Sequence, residues 1–243
     1  LRAVDPQTLK HIFQQLPSNI PFHIHVAEQK KEVEDCLAWT KARPVRWLLD
    51  NMPVDERWFL VHATHLDDQE VTGLASSGAS VVLCPGTEGN LGDGIFRMKE
   101  FVQQHGKWCI GTDSHVTLDP LNELRMIDYR QRLIFNRRDT FRENGADYMI
   151  RQAWRSGSAS AGVKVNELFE PGNPFDAVLY DAGLPALENA SPLNRLATLI
   201  HTGARPCGTF IGGKLISRNG VHNNQDSIRQ SYRKAVDSIK WNW

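Results

Sequence analysis

Four short apolar runs punctuate the first half of the chain, and helix-length segments separate them. The runs are IPFHIHVA at 20–27, RWFLVHA at 57–63, ASVVLC at 79–84 and KWCIGT at 107–112. Between them, residues 30–40, a second segment with Pro44 near its start, 67–76 ending at Gly78, and 95–105 closed by Gly106 read as helices. Asp5-Pro6 and Asp119-Pro120 each place an N-cap before a first-turn proline, which predicts helices to about Leu16 and about Phe135. Strands that alternate with helices pair in parallel through right-handed crossovers. The expected body is therefore an α/β domain over 1–165. The stretch GTEGNLGDG at 86–94 reads as a loop, and the basic run RQRLIFNRR at 130–138 as a solvated helix face.

The texture changes near Asn166. Residues 175–181, 196–201 and 207–216 read as strands, with Gly212-Gly213 offering a hairpin turn. A small β region over 166–222 and a C-terminal helical segment over 223–243 are expected beside the α/β body. Lys plus Arg and Asp plus Glu are 28 each, so the formal charge is zero. That balance argues against nucleic-acid and membrane-surface partners, which favour a basic excess. No apolar run approaches the ~20 residues of a spanning helix, and the opening LRAVDPQTLK lacks the apolar core of a signal peptide. Cys36, Cys84, Cys109 and Cys207 lie far apart without a CxxC pair, which suits a reducing compartment and predicts a cytoplasmic location.

Three ionisable residues share one position in these units. His25 and His62 lie near the carboxyl ends of the first two apolar runs, and Asp113 just after the fourth. Function gathers at strand carboxyl ends in parallel α/β folds, so the three side chains are expected to converge. One histidine at a strand end is more often a hydrogen-bonded structural residue; three convergent metal-ligand types are not. Imidazole and carboxylate both bind zinc at about 2.0–2.2 Å. Glu28, three residues past His25, is placed to relay protons, although an acidic first turn also suits the next helix. His23 and His25 form an HxH that could itself hold a metal. His25 to Asp113 spans only four strand–helix units, against about 250 residues for an eightfold barrel, so His25 is taken as the ligand and His23 as its neighbour.

HIHVAEQ at 23–29, LVHATH at 60–65, LCPGTEGNLGDGIF at 83–96 and GTDSH at 111–115 resemble strands five, six, seven and eight of the amidohydrolase superfamily. With LNELRMIDYRQRL at 121–133, they are similar to the members that hydrolyse the C=N bond of N-formimino-L-glutamate. The resemblance implies the second half, strands 5–8, of a metal-dependent TIM-like (β/α)8 barrel with one Zn2+ per complete active site. It implies that His25 and Asp113 ligate the metal and that Asp113 accepts the proton of the attacking water. His62 would polarise the substrate, Glu28 would deliver a proton to the departing nitrogen, and Arg2 would grip a carboxylate of a small anionic substrate. A guanidinium suits that last task because it binds carboxylates bidentately.

The superfamily's strand-one HxH has no counterpart here. The expectation is a fragment lacking strands 1–4, weak in zinc binding and activity, that needs the N-terminal half or forms a homo-oligomer. A deaminase or chlorohydrolase of a heterocyclic ring, and a non-catalytic half-barrel, are the rival readings. An anionic substrate would need Arg2; a neutral ring would not.

Overall fold

The computed structural model describes residues 3–141, 144–163 and 169–239. Packing divides the chain into two compact units, Leu1–Val165 and Asn166–Trp243. Among the described residues, no helix is long and apolar enough to cross a membrane.

The first unit carries a parallel sheet. After helix α1 (Pro6–Gln15) come β1 (Phe22–Val26), α2 (Lys30–Thr40), α3 (Pro44–Asn51), β2 (Trp58–His62), α4 (Asp68–Ser77) and β3 (Ser80–Leu83). Then follow α5 (Pro85–Leu91), α6 (Met98–Gln103), β4 (Lys107–Ile110), α7 (Pro120–Phe135) and α8 (Gly145–Ser160). The strands pair in parallel in the order β1-β2-β3-β4, so each neighbour in sequence is a neighbour in space. Every residue of β2 and β3 is buried, as expected of central parallel strands covered on both faces. Register places His25 beside Val61, Val61 beside Val82, and Val82 beside Cys109. Phe59, Val61, Val82, Cys84 and Cys109 pack as one apolar cluster beneath the strand ends.

The caps read from the sequence are present. Asp5 accepts from the backbone N–H of Gln7 and Thr8 at 3.0 Å each, and Asp119 from Leu121 at 3.0 Å. Helix α8 covers β4: the Trp108 indole N–H donates to the Tyr148 hydroxyl at 3.3 Å.

The expected loop at 86–94 is mostly helix, α5. Pro85 starts it at the first helical position, and the Glu88 carboxylate accepts the buried Cys84 N–H at 2.9 Å. Its glycines serve close approach by α7 and not looseness. A Cβ on Gly86 would lie 2.8 Å from Glu123 Oε1, and one on Gly89 would lie 2.9 Å from Arg130 Nη2.

In the second unit, β5 (Ala177–Leu179), β6 (Gly208–Ile211), β7 (Lys214–Arg218) and β8 (Val221–His222) form an antiparallel sheet in chain order. Gly212 and Gly213, both at positive φ (54° and 76°), make the β6–β7 turn. Residues 196–201, expected as a strand, lie in helix α10 (Arg195–Thr202). Leu196, Leu199 and Ile200 follow helical spacing, Ile200 is fully buried, and Gly203 at φ 68° caps the end. Helices α9 (Pro185–Glu188) and α11 (Gln225–Ser238) complete this unit.

Glu123 is held by the Gly86 N–H at 2.7 Å and the Thr117 hydroxyl at 2.8 Å, so it cannot yield to a new methyl group. Overpacking costs about 1–3 kcal/mol, more than the roughly 1 kcal/mol that alanine gains over glycine in a helix. Gly86→Ala should therefore lower the urea midpoint; an unchanged or raised midpoint would contradict the close-approach account.

Candidate metal centre

His25, His62 and Asp113 meet at the carboxyl ends of β1, β2 and β4, with one ligand atom of each within 4.8 Å of the others. His25 Nε2 lies 3.3 Å from Asp113 Oδ1, and the two imidazole rings are 5.3 Å apart. Glu28, 4% exposed, places Oε1 3.7 Å from His62 Nε2. His23 turns away, its Nε2 lying 3.0 Å from the Ser160 carbonyl and its ring stacked on Phe59. His65 also faces elsewhere, towards the Asp93 carbonyl at 2.8 Å. Arg2 lies outside the described residues.

Strand alternation alone would keep His25 and His62 apart. Val26 pairs with His62, while His25 pairs with Val61, so the two histidines have opposite parity in the pleat. The chain leaves the pleat at the end of β2. His62 and Ala63 adopt φ values of 68° and 48°, and Asp113 adopts 43°. Left-handed backbone costs an L-residue of this kind about 1–2 kcal/mol and persists where surrounding contacts over-determine it. Here the Ala63 N–H bonds the Val26 carbonyl at 3.0 Å and the His65 N–H bonds the Ala27 carbonyl at 3.1 Å, carrying the β1–β2 pairing past the strand ends.

Carboxylates position the loop and the ring. The Glu32 side chain accepts from the N–H groups of Ala27 and Glu28 at 2.9 and 3.0 Å, which fixes the backbone that presents Glu28. Glu88 Oε1 lies 3.4 Å from His62 Nδ1. Its other oxygen accepts from Arg130 Nη1 at 2.8 Å. Glu88 is 2% exposed, and both of its oxygens are taken up by protein donors. Arg130 departs from the solvated face expected of 130–138: its side chain is 15% exposed and points inward. Thr87 Oγ1, 2.9 Å from Ser114 Oγ, accepts the Ser114 N–H at 3.2 Å and so braces the turn carrying Asp113.

Burial opposes a charge on His62, but the hydrogen bond to Glu88 and the charges of Glu28, Glu88 and Asp113 outweigh it and raise its pKa. Burial likewise opposes ionisation of Asp113, yet the hydrogen bond to His25, the His62 charge and the Thr87 hydroxyl lower its pKa. Burial raises the Cys84 thiol well above its ordinary range, and the Cys109 thiol to about 12, so neither is a nucleophile.

The donor set fits a zinc ion. Two ligands about 2.1 Å from one tetrahedral zinc lie roughly 3.4 Å apart, close to the 3.3 Å between His25 Nε2 and Asp113 Oδ1. His62 Nε2 is buried, has no hydrogen-bond partner and faces the same place. An orphaned buried nitrogen costs about 1–3 kcal/mol, and a cation or bound substrate would remove that cost.

A family model described as "Amidohydrolase family" matches residues 2–216. The chain belongs to the amidohydrolase family. It is 38% identical to the formimidoylglutamate deiminase of Pseudomonas aeruginosa, over 98% of this chain and 54% of that one. It is 26% identical to a 5-methylthioadenosine/S-adenosylhomocysteine deaminase of Pyrococcus furiosus, over 90% of this chain and 52% of that one. Among solved structures, an amidohydrolase from Brucella melitensis superposes with a TM-score of 0.89 at 38% identity, covering 97% of this chain and 52% of its own. An adenosine deaminase from Xanthomonas campestris, with bound zinc, shares the fold at 22% identity and a TM-score of 0.76, covering 96% and 54%. The chain spans about half the length of the relatives it matches.

The raised His62 pKa has a signed consequence. In metal-free protein, the native state holds this proton to higher pH than the unfolded chain, whose ordinary value is 6.5. The resulting stability is complete below that value and is lost as pH rises through the native one. The difference in urea midpoint between wild type and His62→Gln, measured with chelator, should therefore shrink from mildly acidic to alkaline buffer. A difference that grows would reverse the assignment.

Proposed function

We propose that this chain carries half of the active site of a zinc-dependent hydrolase that cleaves the C=N bond of N-formimino-L-glutamate. The products would be N-formyl-L-glutamate and ammonia. The observation that carries the reading is the meeting of His25, His62, Asp113 and Glu28 at the carboxyl end of one parallel sheet. The 38% identity to a formimidoylglutamate deiminase favours this substrate over the adenosine derivatives named for a relative at 26%. We read the sheet as strands five to eight of a (β/α)8 barrel, supported by its all-parallel consecutive order and the half-length coverage.

His25 and Asp113 would hold the zinc. When bound, the ion supplies positive charge and a water acidified to about neutral pH. The chain's own groups then manage protons and charge. Asp113, with its lowered pKa, stays ionised and takes a proton from the attacking water. Glu28, set beside His62 by the Glu32 clamp, carries a proton to the departing nitrogen. His62 would polarise the substrate and steady the charge that develops in the tetrahedral intermediate, a preorganised effect often worth about 3 kcal/mol. Arg2 would grip a substrate carboxylate. Addition of water to the C=N carbon and loss of its nitrogen as ammonia leave the N-formyl group.

In the complete enzyme containing this stretch, N-formimino-L-glutamate should release ammonia, and Asp113→Asn should abolish turnover. Release from an adenosine derivative but not from the formimino compound would transfer the reading to the ring deaminases. Catalytic zinc usually has three or more protein ligands. The isolated 243-residue chain should therefore bind zinc weakly in calorimetry; tight one-to-one binding would overturn the half-site reading.

A further inference from the structure

We propose that Glu88 is a positioning residue for His62: it holds the imidazole with the proton on Nδ1 and so presents Nε2 to the pocket. The argument is a donor and acceptor count. Glu88 Oε1 accepts the Cys84 backbone N–H at 2.9 Å, and Oε2 accepts from Arg130 at 2.8 Å. Arg130 also donates to the Pro85 carbonyl, which seats its guanidinium against α5. An amide N–H and a guanidinium can only donate. Both oxygens of this carboxylate are therefore acceptors, and the Nδ1 that lies 3.4 Å from Oε1 must supply a proton. That proton stays on Nδ1 whether the ring is neutral or charged; only Nε2 changes.

The fold protects this arrangement from water. Glu88 is 2% exposed and His62 is fully buried. Gly89 leaves room for the guanidinium, since a Cβ there would lie 2.9 Å from Arg130 Nη2. The glycine-rich stretch and the basic helix face thus belong to one device, which runs from Arg130 through Glu88 to His62. Its effect on turnover rests on the hydrolase reading above, but the ring's protonation does not.

The experiment is two-bond proton–nitrogen correlation on the 243-residue chain labelled with imidazole-15N histidine. The His62 signals are assigned by their loss in His62→Gln. Wild type should show a protonated Nδ1. Glu88→Gln keeps an acceptor towards the ring and should retain that pattern, whereas Glu88→Ala should move the proton to Nε2 with the other histidines unchanged. A wild-type ring bearing its proton on Nε2 alone overturns the proposal without any variant, as do unaltered His62 signals in Glu88→Ala. In the complete enzyme, Glu88→Ala should lower kcat about 10–100-fold, the usual cost of losing a group that orients a histidine at a metal site, with little change in KM. An unchanged kcat beside a shifted proton would end the positioning role. No turnover by wild type would count against the hydrolase reading and leave the ring assignment standing.

Discussion

A carboxylate can remain ionised in an apolar interior only if donors surround it, and Glu88 meets that condition. Transfer of such a group from water costs several kcal/mol unless it is paired and hydrogen-bonded. Arg130, the Cys84 N–H and the His62 ring supply the compensation. Three elements are thereby tied together: α7 through Arg130, α5 through Glu88, and the end of β2 through His62. Removing any one partner would leave the others as uncompensated buried polar groups.

The same logic runs through the rest of the site. Glu32 satisfies two backbone N–H groups where the chain leaves β1, and Glu123 satisfies the Gly86 N–H at the start of α5. Each acid is buried, and each fixes a segment that would otherwise have free backbone donors. These segments follow strand carboxyl ends, where the ladder stops and backbone groups need other partners. Glu88 does both jobs: it accepts the Cys84 N–H and, together with Glu28 and Asp113, builds the negative field that raises the His62 pKa. Rigidity and electrostatics thus meet at Glu88.

Much of this was legible in the residues. Apolar runs of strand length, proline-preceded caps and helical spacing outlined the parallel sheet, and His25, His62, Glu28 and Asp113 stood out by their place at the run ends. The failures have physical causes. GTEGNLGDG reads as a loop because glycine is a poor helix former, yet Gly86 and Gly89 answer to the approach of Glu123 and Arg130, which local pattern does not contain. Arg130 looked solvated because its basic run lies on a helix beside acidic neighbours; its partner, Glu88, lies 42 residues away. Residues 196–201 carry helical spacing, and apolar content alone misled. Helix α8 was not singled out at all, since its burial depends on where β4 lies.

Sequence by itself determined the order of the four strands in the first unit and the placing of metal-ligand residue types at their ends, because period and residue type are local properties. It also carried enough similarity to place the chain in the amidohydrolase family. That His62 joins His25 was expected from their place at strand ends; only the tertiary structure decided how. Their parity in the pleat opposes it, and the left-handed turn at His62 and Ala63 overcomes that parity. A residue accepts such a backbone when distant contacts hold it there, and those contacts exist only once β1, β2, α5 and α7 have packed.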